Sequence, residues 1–113
     1  MHKPKIHTAV PKRRYRLGEY LVTVLGEIDS ADGIDYRYIL ATLVEGESEP
    51  GLYVTAERQR PEGAYAMRVI MHDGAQVVGS SDRWGELELF AADALDAVVK
   101  ILGLDDEQIR RLM

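Results

Sequence analysis

The densest run of chemistry-bearing side chains is Lys12-Arg13-Arg14-Tyr15-Arg16. Four cations around one aromatic ring could neutralise phosphates and release their counterions, with the ring stacking on a base. A solvated basic leader resting on an acidic body would read the same way. A second set follows: Tyr36, Arg37, Tyr38, Tyr53, Arg58, Arg60, Tyr65 and Arg68. Rings on an open sheet stack bases, with arginine beside them. The structural reading of the tyrosines is that their rings fill a half-buried sheet while the hydroxyls reach water. A nucleic-acid surface would thus draw on Lys12, Arg13, Arg14, Tyr15, Arg16, Arg37, Tyr53, Arg58 and Arg60.

A third candidate is Ser80-Ser81-Asp82-Arg83-Trp84-Gly85. Ser80, Ser81, Asp82 and Trp84 could line a small-ligand or enzymatic pocket, since loops on rigid frames carry function. A buried Trp84 anchoring a helix to a sheet is the simpler reading. Neither serine has the strand–G-x-S-x-G–helix context of a hydrolase nucleophile. His72-Asp73 could move a proton or bind a metal. Its composition is also that of a tight turn, where Asp is favoured for backbone reasons. Glu45, Glu47 and Glu49 alternate without EF-hand spacing, and no G-K-[ST] phosphate loop occurs. These residues assign no catalytic group, metal ligand or cofactor, so an enzyme is the lesser expectation.

The chain has 113 residues, 46% hydrophobic and 29% charged, which suits one globular domain. It has no cysteine, which excludes disulfides, thiolate metal sites and cysteine nucleophiles. No apolar run approaches the roughly 20 residues that span a bilayer. No apolar h-region follows Lys3 and Lys5, so a cytoplasmic protein with no membrane partner is expected. The net charge of −5 hides an asymmetry: residues 1–16 carry six basic and no acidic side chains, and the remainder eight basic and nineteen acidic.

Residues 1–14 include Pro4 and Pro11 and lack periodicity, so a flexible basic arm is expected, followed by a single domain over 15–113. From Tyr15 the pattern is of strands. Tyr20, Val22, Val24 and Ile28 fall on one face, and Leu17, Leu21 and Leu25 on the other. A second strand puts Tyr36, Tyr38 and Leu40 together, with Arg37, Ile39 and Leu43 opposite. Two more strands follow, near 52–58 and 65–72. Asp73-Gly74 then predicts a two-residue turn that sets His72 opposite Ala75 and Ile70 opposite Val77. Leu87, Ala91, Ala94, Leu95, Val98, Ile101 and Leu102 recur at helical steps, with Gly103 placed as a C′ glycine. Asp105 and Gln108 read as a capping box for a short final helix from Asp106 to about Leu112.

The expected fold is α+β: a five-stranded antiparallel meander, then one amphipathic helix and a short terminal helix, in two layers. Its element order over residues 15–102 resembles that of the transcription-coactivator and plant Whirly single-strand-binding proteins, whose sheets are open and whose subunits associate. The resemblance is one of element order, without a motif matched residue by residue. A sheet apolar on both faces also predicts a homodimer. The leading expectation is therefore a non-enzymatic, self-associating interaction protein, with single-strand nucleic-acid binding as the alternative and a Trp84-loop ligand site third.

Overall fold

A computed structural model describes residues 3–59 and 63–113. Arg60 lies outside the described residues. The fold is α+β, with one antiparallel sheet and one α-helix. Seven strands follow the chain: β1 (Ile6–Leu17), β2 (Tyr20–Ser30), β3 (Tyr36–Val44), β4 (Leu52–Arg58), β5 (Tyr65–Met71), β6 (Gly74–Ser81) and β7 (Ile109–Arg111). Between β6 and β7 come a 3₁₀ turn, Asp82–Gly85, and the helix α1 (Leu87–Leu102). The sheet order is β6-β5-β4-β3-β2-β1-β7, a meander closed by one long return.

The sheet is wider than the five strands expected, for two reasons. Residues 6–14 are not a flexible arm but most of β1, paired with β2 from Ile6↔Ser30 to Leu17↔Tyr20. Gly18, at φ +60, opens the two-residue turn between them, a conformation that glycine adopts without steric cost. Leu17 thus belongs to a different strand from Leu21 and Leu25, and it faces the helix instead. The expected terminal helix is also absent: Tyr15, Arg16 and Leu17 pair with Arg111, Arg110 and Ile109 of β7. A seven-residue helix is marginal on its own in water. The unpaired edge of β1 offers the same backbone groups a ready ladder.

Bulges decide which face several side chains occupy. The β3–β4 register shifts between Tyr36 and Tyr38, so Tyr36 lies on the face opposite Tyr38. A shift near Glu27, whose φ is +47, likewise sends Ile28 away from Val22 and Val24. One extra residue reverses the alternation beyond it. The β5–β6 turn falls on His72-Asp73, with Met71↔Gly74 and Ile70↔Ala75. That is one residue earlier than expected and displaces the pairing by two, an even step that preserves side-chain alternation over the regular part of the ladder.

The helix covers one face. Phe90, Ala91, Ala94, Leu95 and Val98 meet Val22, Val24, Tyr38, Leu40, Val54 and Met67. Gly103, at φ +66, ends the helix: its N–H reaches Lys100 O at 3.4 Å and Leu104 N–H reaches Val99 O at 2.9 Å. This is a Schellman arrangement that satisfies the last carbonyls.

The reverse face covers itself over its centre. Tyr36, Tyr53, Ile6, Leu25, Ile28 and Ile34 surround Ile39 and Ile70, both 0% exposed. Asp32 anchors its rim, accepting from Lys5 N at 3.1 Å, Ile34 N at 3.0 Å and the Tyr36 hydroxyl at 2.7 Å. Partial burial pushes the Asp32 carboxyl up, but the hydrogen bonds from Tyr36, Lys5 and Ile34 outweigh it and hold the group below its ordinary value. A carboxyl lowered on folding stabilises fully above its unfolded pKa, near 4, and the contribution fades as pH falls through the folded value. Asp32→Ala is expected to cost about 1–2 kcal/mol at neutral pH. In urea melts its deficit against the parent should shrink below about pH 4; a deficit constant down to pH 2 would contradict the assignment.

Candidate functional site

Lys12, Arg13 and Arg16 reach carboxylates from across the fold. Lys12 Nζ pairs with Glu27, Arg13 Nη2 with Glu88 at 2.6 Å, and Arg16 Nη1 with Glu45 at 2.9 Å. Register explains this. Arg13 lies opposite Val24 on the helix side and meets the first turn of α1, whereas Arg16 lies opposite Leu21 on the reverse side. The pairing holds Glu27 and Glu45 below the ordinary carboxylate range and Arg16 above its usual value, in each case through the shared hydrogen bond first. Among the described residues, Arg14 alone of the cations at 12–16 has no ion pair. Tyr15 is buried in the helix-side core, and burial, followed by the Glu88 charge, pushes its hydroxyl up.

Of the other basic and aromatic candidates, Arg37, Tyr38, Arg58 and Tyr65 gather around Gly85, where a Cβ would stand 2.8 Å from the Tyr65 ring, whereas Tyr53 lies on the reverse face. Arg58 Nε pairs with Asp35 at 3.0 Å and sits over the Tyr65 ring. Arg37 donates to Gly85 O at 3.0 Å and lies over the Tyr38 ring, 4.9 Å from its centre. Tyr53 is packed against Ile39 on the reverse face, and burial, then the Glu49 charge, pushes its hydroxyl up.

The Ser80–Trp84 segment is a structural joint. Ser80 pairs with Ala66 within the sheet. The Ser81 hydroxyl oxygen accepts from Arg83 N at 3.2 Å, capping the 3₁₀ turn whose first residue is Asp82. Trp84 is buried, and its indole N–H donates to Asp93 on the helix at 2.7 Å. Arg83 reaches the same carboxylate at 2.9 Å. The indole lies so close to Gly79 that a Cβ there would stand 3.1 Å from it. His72 is exposed at its turn. Among the described residues no three of His, Asp and Glu gather as metal ligands.

What remains open is an edge. β6 pairs with β5 on one side and, among the described residues, with nothing on the other. Its eight residues, GAQVVGSS, contain no charge and no proline. Val77 and Val78 are 58% and 51% exposed. Beside them, a hollow of about 430 Å³ is lined by Val69, Met71, Gln76, Val78 and Ile101. The opposite edge, β7, has three residues, two of them Arg110 and Arg111. Sheets ordinarily blunt an edge with charge, proline, brevity or a bulge; β7 is short and charged, whereas β6 has only the bulge at Val78. The uncharged run is visible in the sequence, but its position at an edge depends on the strand order. No helix among the described residues is long and apolar enough to cross a membrane. The chain matches no family model, no curated protein and no solved structure.

Proposed function

We propose that this chain is a non-enzymatic interaction domain that self-associates, two copies joining β6 to β6 in antiparallel fashion. The observation that carries the reading is the contrast between the two sheet edges. Unpaired strand N–H and C=O groups are a template for another strand. A second copy suits this one: an antiparallel self-pair is two-fold symmetric and brings the exposed Val77 and Val78 of both chains together. The strand carries no side-chain charge, so none is opposed to its like across the ladder. The arginines of β7 disfavour head-to-tail growth, which makes the dimer a closed one. A chain without cysteine is compatible with a reducing compartment, and we place it in the cytoplasm. Single-strand binding has less support, because Lys12, Arg13, Arg16 and Arg58 would each have to leave a carboxylate.

Light scattering at micromolar concentration should give twice the monomer mass. Val78→Lys would set two ammonium groups near the symmetry axis and weaken the dimer at least about tenfold. Val78→Cys introduces the sole thiol and should oxidise to a covalent dimer. A strict monomer overturns the reading. So does a dimer indifferent to Val78→Lys that leaves the Val78→Cys thiol unlinked.

A further inference from the structure

A second feature lies on the reverse face, towards β1. Cross-strand register places Arg14, Thr23, Ala41 and Tyr53 in one row, beside the row of Arg16, Leu21 and Leu43. Thr23 and Ala41 are small, so the floor dips beside the larger Leu21 and Leu43. The dip is a hollow of about 330 Å³, bounded also by Pro50 and Leu112. Leu21, Thr23, Ala41 and Leu43 are all half-buried, so the floor is apolar and partly open. No acidic side chain lines it.

Arg14 lies in this row between Thr23 and the backbone of Leu112 and Met113, which bonds to its own, and it is exposed and without an ion pair among the described residues. Its neighbours Lys12, Arg13 and Arg16 each have a carboxylate. The nearby acid Glu45 is already held by Arg16. A guanidinium beside an apolar trough is complementary to a molecule with one anionic end and one hydrocarbon body. A carboxylate suits the planar donor fork, and the floor has nothing to satisfy a second charge. A second copy is a poorer occupant, because it would bring its own Arg14 to the same small surface.

We propose that this hollow binds an unbranched medium-chain carboxylate, its head on Arg14 and its chain over Thr23 and Ala41 between Leu21 and Leu43. The site is remote from β6 and does not depend on the dimer.

The test follows amide shifts by NMR during titration with decanoate, decanol and decyltrimethylammonium below their micelle concentrations. Decanoate should move the Thr23, Ala41 and Leu43 amides saturably and bind about tenfold more tightly than decanol, with the cation weaker still. Arg14→Gln should bring decanoate down to the affinity of decanol. Ala41→Leu fills the floor and should abolish both; Thr23→Leu fills it from the next strand and decides the matter if Ala41→Leu folds poorly. Equal affinity for all three probes overturns the proposal. So do decanoate shifts centred on Val78 and Ile101, or binding that survives both filling variants.

Discussion

Phe90→Ala is expected to lower the free energy of unfolding by about 3–5 kcal/mol. Phe90 sits in the first turns of α1 and is 0% exposed. Its ring lies 5.5 Å from that of Tyr38, inclined by 27°, so the substitution removes both buried area and an aromatic contact between helix and sheet. The surrounding backbone belongs to a continuous ladder and can collapse only partly into the space. Domains of this size are commonly stable by about 5–15 kcal/mol, so the variant should melt far below the parent. Urea denaturation followed by circular dichroism measures the loss. A change below about 1 kcal/mol would mean that the helix does not rest on this face, and the two-layer description would fail.

Glu57→Ala is expected to cost about 2–4 kcal/mol, a large effect for a charged residue. Glu57 accepts from Arg68 Nε and from the Thr55 hydroxyl, each at 2.7 Å. Its side chain is only 17% exposed and that of Arg68 20%, so the pair is poorly screened by water. Removing the carboxylate leaves a guanidinium in a partly dry site with no counter-charge. Removing both charges is different: the double variant Glu57→Leu with Arg68→Met should recover most of the loss, because neither partner is left unpaired. A double-mutant cycle by urea melts checks this. Additive losses in the double variant would show that the two side chains act independently.

Much of the architecture was legible because its signals are local. Val22 and Val24 read as one face by alternation alone, as did Tyr38 and Leu40, and both pairs are buried under the helix; which face of the 52–58 strand points inward was not legible, and the structure turns Val54 to the helix. The stripe from Leu87 to Leu102 and the cap at Gly103 were equally plain, since a helix and its end are written within a few residues. Tyr36 and Ile28 misled for a definite reason. A bulge inserts one residue without altering composition, so alternation counted along the chain assigns the wrong face beyond it. The capping box at Asp105 misled differently: Gln108, Ile109 and Leu112 suit a helical turn, and the pairing of β7 with Tyr15–Leu17 overrides it.

The candidate sites divide along the same line. Trp84 was expected to anchor helix to sheet, and its bond to Asp93 does so. The basic run at 12–16 is compatible in sequence with phosphate binding or with rest on the acidic body; its carboxylate partners lie 15 to 75 residues away in sequence, and only folding identifies them. Composition and short-range periodicity were enough for the α+β class, the helix and most strand positions, because those depend on interactions between near neighbours. Long-range pairing governed the rest: which strand stands at an edge, which cations keep their charge unmatched, and where small side chains meet to leave a hollow. Those features belong to contacts between distant segments, and such contacts exist only once the chain has closed on itself.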